Sequence, residues 1–297
     1  MSRDWLEAFP ALGTETLSLL RRFVDGAFRD FTREYGEALE KFFEPLRQFL
    51  LLSERLLTQS PWPVVLAVIV LVAWLASRSL KVLVGTALTL LAIGVFGMWE
   101  DTMKTISMIF VCTVVAIALG LPIGVAMSRS DRLQRFVNPG LDVMQTMPSF
   151  VYLIPVVMLL GIGRVPGLIA VVIYAIPPVI RFTNLGIRLV DKDLLEAADA
   201  FGSSIWQKLR QVQLPLALPT IMAGINQTIM LSLSMVVIAS MIGVQGLGQP
   251  VLKAITNQYF TMGLLNGMAI VGIAIVFDRA SQAYGKRLQK HLEVQHG

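Results

Sequence analysis

The chain is 297 residues long, 55% hydrophobic and 15% charged, with a mean hydropathy of +0.68. Soluble domains carry about 25% charged residues, so a water-soluble fold would have too little polar surface to cover its apolar atoms, and lipid must solvate much of the chain. The net charge of +5 does not mark a nucleic-acid reader: Lys and Arg sit in short clusters between apolar runs, without the basic stripe that phosphate neutralisation requires.

Residues 1–60 stand apart. Met1 to Pro10 lack the basic start and apolar core of a cleavable signal peptide. Leu17, Leu20, Val24, Phe28, Phe31, Tyr35, Leu39, Phe42, Leu46 and Phe49 then recur at steps of three and four, the period of an amphipathic helix. Gly26, Gly36 and Pro45 are expected to divide it into two or three pieces. No run here is long enough to span a bilayer. The expected state is a helix in the membrane interface or packed on a neighbouring subunit, against the plainer alternative of a soluble helical tail.

From Trp62 the apolar runs approach the ~20 residues that a bilayer core requires. Spans are expected at about 62–77, 82–98, 103–127, 141–161, 166–186, 217–242 and 262–278. The one cysteine, Cys112, lies inside such a run, so no intrachain disulfide forms. Basic residues set the orientation. Arg78, Lys81, Arg129, Arg132, Arg135, Arg181, Arg188, Lys192, Lys208, Arg210, Arg279, Lys286, Arg287 and Lys290 fall on one side, which the rule makes cytoplasmic. The opposite loops hold Lys104, Arg164 and Lys253. The expected topology has the N-terminus outside and the C-terminus in the cytoplasm.

The longest polar interruption, residues 191–215, lies between the fifth and sixth runs. Asp193 and Glu196 are spaced as an N-cap pair, Gly202 suits a left-handed helix end, Ser204 to Gln207 reads as a capping box, and Pro215 marks the start of the next span. Two short helices joined at a glycine are expected.

These residues carry a resemblance. Glu196-Ala197-Ala198, then Gly202, then Val212-x-Leu214-Pro215 resembles the EAA loop of permease subunits of binding-protein-dependent ABC importers, with valine where isoleucine is usual. The stretch Met144 to Pro155 is similar to the glycine betaine, proline betaine and choline branch, and Ile242 to Gly248 resembles the glycine-rich turn of many such permeases. Those glycines lack the Lys-Ser/Thr of a P-loop, so a turn is the better account.

The resemblance implies an all-α type I importer permease fold of about seven transmembrane helices. It implies a tail over 1–60, additional helices over 61–100, a core domain over 101–285 and a cytoplasmic tail over 286–297. It gives Glu196, Ala197, Ala198, Gly202, Leu214 and Pro215 the role of coupling to an ATPase subunit. The implied partners are two ATPase copies that hold ATP and Mg, an extracytoplasmic substrate-binding protein, a second permease copy in a homodimer, and membrane lipid. No cofactor on this chain and no nucleic acid are expected. The implied setting is the cytoplasmic membrane of a bacterium, and the implied cargo is a quaternary-ammonium osmoprotectant such as glycine betaine, proline betaine or choline. Methionine or phosphonate importers share the loop.

For the translocation path, the polar residues at membrane depth are Gln145, Thr146, Asn226, Gln227, Ser232 and Ser234. Such groups avoid lipid, though helix packing explains any one of them equally well. Phe150 and Tyr152 have faces that suit a quaternary ammonium. An ion-coupled transporter would place ionisable residues at the midplane, whereas every Asp, Glu, Lys and Arg here fits a span end or loop. A membrane metalloenzyme is disfavoured because His291 and His296, the only histidines, lie in the C-terminal tail.

Overall fold

The computed structural model describes residues 12–296, and every regular element among them is helical. The first, α1 (Thr14–Gln59), is one unbroken helix of 46 residues. The expected breaks at Gly26, Gly36 and Pro45 do not occur. A glycine costs a helix only about 1 kcal/mol, and the apolar stripe keeps its period across both. Pro45 and Lys41 both lie on the exposed side, so the carbonyl freed by the proline ring is not buried. The C-terminal part of α1 packs inward through Leu46 and Leu50. Phe23, Phe31, Tyr35, Phe42 and Leu56 stay exposed.

At Ser60–Pro61 the chain bends by 114° into α2 (Trp62–Ser77). A left-handed Arg78 turns it back into α3 (Leu80–Val95), a helix of 16 residues. The pair packs against the last helix, α13 (Phe260–His296), where the Arg287 guanidinium donates to the Leu75 carbonyl at 3.2 Å.

The centre of the bundle is α4 (Trp99–Arg129), which buries Met103, Ile109, Val111, Cys112, Ala116 and Met127. It lies against α8 (Pro177–Arg188), which continues α7 (Arg164–Ala175) through the Pro177–Pro178 joint. The two backbones approach at Gly124, where even a Cβ would lie 2.6 Å from the Thr183 side chain. Small residues at such crossings allow close packing in lipid. The third partner is α11 (Leu214–Ala239). Leu168, Val171, Leu233, Met235 and Val236 join α4 in the main apolar core.

The run expected as a span over 141–161 is not one straight helix. Residues Asp131–Thr146 form α5, an amphipathic helix capped by Ser130, and a bend of 111° separates it from a 3-10 turn and α6 (Leu153–Leu160). Pro148 holds Met147 in extended backbone, which ends α5 there. Four stretches, Trp99–Arg129, Arg164–Arg188, Ile205–Ile242 and Phe260–Arg287, are long and apolar enough to cross a membrane singly, and the two bent pairs raise that number to six. At ~1.5 Å per residue α3 is about 24 Å long, short of the hydrocarbon thickness.

After α11 the chain makes a glycine-rich turn into α12 (Gly248–Asn257). The Leu247 amide donates to Thr105 Oγ1 of α4 at 2.9 Å. Gly246 has φ +130°, and a Cβ there would lie 2.5 Å from that same oxygen. Conformation and space both require glycine. The segment is a packed turn at the end of the bundle opposite the 191–215 loop.

Candidate functional site

The 191–215 loop is mostly exposed. It opens with α9 (Lys192–Ala200), whose N-cap is Asp191 and not Asp193: the Asp191 carboxylate accepts from the Asp193 amide at 3.0 Å. Asp191 has the extended backbone of a cap, while Asp193 already lies in the first turn, where its charge complements the helix dipole. No residue of α9 is buried. Glu196 and Ala197 are exposed and Ala198 is partly so.

Gly202 ends the helix in the left-handed region at φ +72°, with nothing within 4 Å of where a Cβ would sit. The Gly202 and Ser203 amides donate back to the Asp199 and Ala198 carbonyls at 2.9 and 3.0 Å. Ser204 then builds the expected capping box with Gln207: Ser204 Oγ accepts from the Gln207 amide at 3.3 Å and Gln207 Oε1 from the Ser204 amide at 2.8 Å.

The second loop helix, α10 (Ile205–Gln207), does not stop before the span. It widens into a π-helical turn, Lys208–Gln213, and runs on into α11. Pro215 lies in the first turn of α11, where a proline at a span start is expected, and Ile205–Ile242 is a single stretch of 38 residues. The wider turn accommodates the amide that Pro215 lacks.

Four large apolar side chains stand in solvent around this loop: Leu189 is 68% exposed, Phe201 91%, Ile205 65% and Trp206 75%. Clustered apolar exposure on a polar loop marks an interaction surface. Within the loop, Lys208 pairs with Asp199. The loop is also fixed from outside. Arg129, the last residue of α4, donates to the Ile205 carbonyl at 3.1 Å, and its guanidinium lies 5.7 Å from the Trp206 ring centre. Arg188 of α8 donates to the Met127 carbonyl at 2.9 Å and to Asn184 at 3.0 Å, and pairs with Asp131 of α5 at 2.7 Å. Arg181 pairs with Asp142. The sequence groups these arginines on the same side as the loop but gives them no partner.

The polar residues considered for a path divide into two groups. Gln145 and Thr146 are exposed at the α5 bend, the Thr146 hydroxyl donating to the Asp142 carbonyl at 3.0 Å. Gln227 and Ser234 are exposed on α11, on one stripe with Ala223 and Met230. The others are engaged or enclosed. Tyr152 is buried, its hydroxyl donates to the Met144 carbonyl, and its ring meets Tyr174 edge-on at 5.9 Å. Ser232 is buried without a hydrogen-bond partner among the described residues.

Asn226 donates to Asp278 of α13 at 3.0 Å and accepts from Ser281 at 2.5 Å, while Gln282 donates to the same carboxylate at 2.7 Å. Asp278 is half-buried and serves the α11–α13 seam. The clue in the sequence was the presence of two strongly polar groups in two apolar runs with no other partner.

A helical bundle with one ordered polar loop and an exposed apolar face on it has the features of a subunit that meets another protein. The family model described as "binding-protein-dependent transport system inner membrane component" matches residues 116–290. The chain belongs to that family and is the permease subunit of an ABC importer. It is 43% identical over 293 residues to the glycine betaine/proline betaine transport system permease protein ProW of Escherichia coli (strain K12), covering 95% of this chain and 82% of that one. It is 46% identical over 229 residues to the glycine betaine/carnitine transport permease protein GbuB of Listeria monocytogenes serotype 1/2a (strain 10403S), covering 76% and 81%. A solved inward-facing structure of the MetNI methionine ABC transporter shares the fold, with a TM-score of 0.57 and 22% identity over 62% of this chain and 93% of that one.

Proposed function

We propose that this chain moves a small quaternary-ammonium osmoprotectant, glycine betaine first among them, across the cytoplasmic membrane of a bacterium. The supporting observation is the likeness to permeases named for glycine betaine at 43% and 46% identity over most of both chains. The fold shared with a methionine transporter at 22% identity speaks to architecture and leaves the cargo to these relatives.

In this reading the loop side faces the cytoplasm and the N-terminus lies outside, as the basic residues favour. Glu196, Ala197, Ala198 and Gly202 form the lever that enters a groove on an ATPase subunit, and Leu214 and Pro215 join it to the span. Exposed Phe201, Ile205 and Trp206 supply the apolar area that such a contact buries. ATP and Mg belong to two copies of that subunit, an extracytoplasmic binding protein delivers the cargo, and one lever per chain calls for two permease copies, a homodimer. The face of α11 that carries Gln227 and Ser234 then lines the path, because lipid offers those groups no hydrogen-bond partner. The remaining path candidates, Gln145 and Thr146, lie uncovered at the α5 bend. The 114° bend after α1 lays that helix close to the membrane plane, where its exposed Phe and Leu side chains meet lipid.

The test is uptake of labelled glycine betaine by vesicles holding the chain with its ATPase and binding protein, supplied with ATP and no ion gradient. ATP-dependent accumulation, competed by proline betaine or choline, is expected. Uptake that needs an ion gradient and ignores ATP would refute the reading.

A further inference from the structure

The 191–215 loop is joined to the bundle covalently through the π-helical turn into α11. A second junction is not covalent, and it runs through the end of α4. Arg129 reaches across 76 positions of sequence to donate to the Ile205 carbonyl at 3.1 Å. The same guanidinium lies over the Trp206 ring at 5.7 Å. One cation thus holds the backbone and the largest exposed side chain of the loop.

The anchor at its own end is firm. Arg129 sits at the C-terminus of α4, where unpaired carbonyls and the helix dipole favour a cation. Arg188 of α8 closes on the same terminus, donating to the Met127 carbonyl at 2.9 Å and pairing with Asp131 at 2.7 Å. One turn above, α4 and α8 meet so closely that a Cβ on Gly124 would lie 2.7 Å from the Ile180 carbonyl oxygen. Displacement of the α4 terminus is therefore passed to α8 with little slack.

We propose that Arg129 is a positioning residue that carries loop movement into α4, so that α4 and α8 follow α11 in the transport cycle. The inference rests on the importer reading above and goes beyond it by naming a second route for force. The geometry makes this route responsive to docking. Trp206 is 75% exposed in the free chain, and a cation–π contact strengthens when it is desolvated. A partner that covers Trp206 tightens the hold of Arg129.

The experiment uses the full permease with its ATPase and binding protein in vesicles, with glycine betaine as the probe. It reads betaine transported per ATP hydrolysed, alongside co-purification of the ATPase. Arg129→Ala is expected to lower that ratio tenfold or more while the ATPase still co-purifies, and Arg129→Lys to restore it in part. In a double-mutant cycle, Trp206→Leu and Arg129→Lys are expected to be non-additive on the ratio, which keeps the proposal testable should the alanine variant fail to insert. An unchanged ratio in Arg129→Ala, strict additivity in the cycle, or a loss of transport that only follows loss of co-purification would overturn it. Absence of ATP-driven uptake in the unmodified chain would instead count against the importer reading.

Discussion

Glu54 and Arg164 stand 110 positions apart in the chain and meet at 2.6 Å, tying the N-terminal helix to the start of α7. A cation at a helix N-terminus opposes the helix dipole, so Arg164 needs its partners. It has two, the second being Gln245 of the glycine-rich turn at 2.6 Å. The carboxylate side chain is 14% exposed and the guanidinium 31%, which leaves little water to replace a lost partner.

Glu54→Ala is therefore expected to cost about 2 kcal/mol, as for hydrogen bonds to charged groups, and to lower Tm in detergent. Adding Arg164→Ala should recover part of that loss, because no half-buried cation then remains. Thermal unfolding of both single variants and the double variant checks this. A double variant that loses the sum of the two singles would show that the residues do not act as a pair.

Asn226 and Asp278 make the corresponding tie between α11 and α13. Asn226→Ala is expected to cost about 1 kcal/mol, the scale of hydrogen bonds between membrane helices. Asp278→Asn should cost less, since Gln282 and Asn226 still find an acceptor oxygen there. Comparing the Tm of the two variants tests the order.

Gly202 turns the loop at φ +72° with open space around it. Gly202→Val should strain that turn by roughly 1–2 kcal/mol without disturbing packing. Betaine uptake is expected to fall at least tenfold while membrane insertion and yield hold. Unchanged uptake would mean that the turn's geometry does not matter for transport.

Gly167 of α7 faces Val244, and a Cβ there would lie 2.0 Å from Val244 Cγ2. Gly167→Ala is expected to cost about 1–3 kcal/mol by overpacking. Val244→Ala in the same chain should relieve it. A size-exclusion profile and Tm for each variant measure the rescue.

Much of this was legible in the residues, for physical reasons. Apolar runs report lipid, so helices lie where hydropathy places them except over 141–161, where the chain bends. The capping box at Ser204 and the left-handed Gly202 are local chemistry that needs no tertiary context. What escaped was set by distant contacts or by the balance of weak terms. The continuity of α1 through Pro45 depends on which side of the helix the proline falls. The bend near Pro148 could be read as a tolerated kink as easily as a turn of 111°. Arg129 and Arg188 sit at helix ends, and the backbone carbonyls they reach 76 and 61 positions away leave no local trace.

The uninterrupted passage from α10 into α11 has a mechanical corollary. A stretch of 38 residues is about 57 Å long at ~1.5 Å per residue. Its tip and its shaft are joined by the π-helical turn Lys208–Gln213 and not by a loop. Tilting such a stretch by about ten degrees about one end shifts the other by roughly 10 Å, a distance on the order of a helix diameter. A rotation imposed at the loop end would thus displace the far end of α11 with no intervening loop to absorb it.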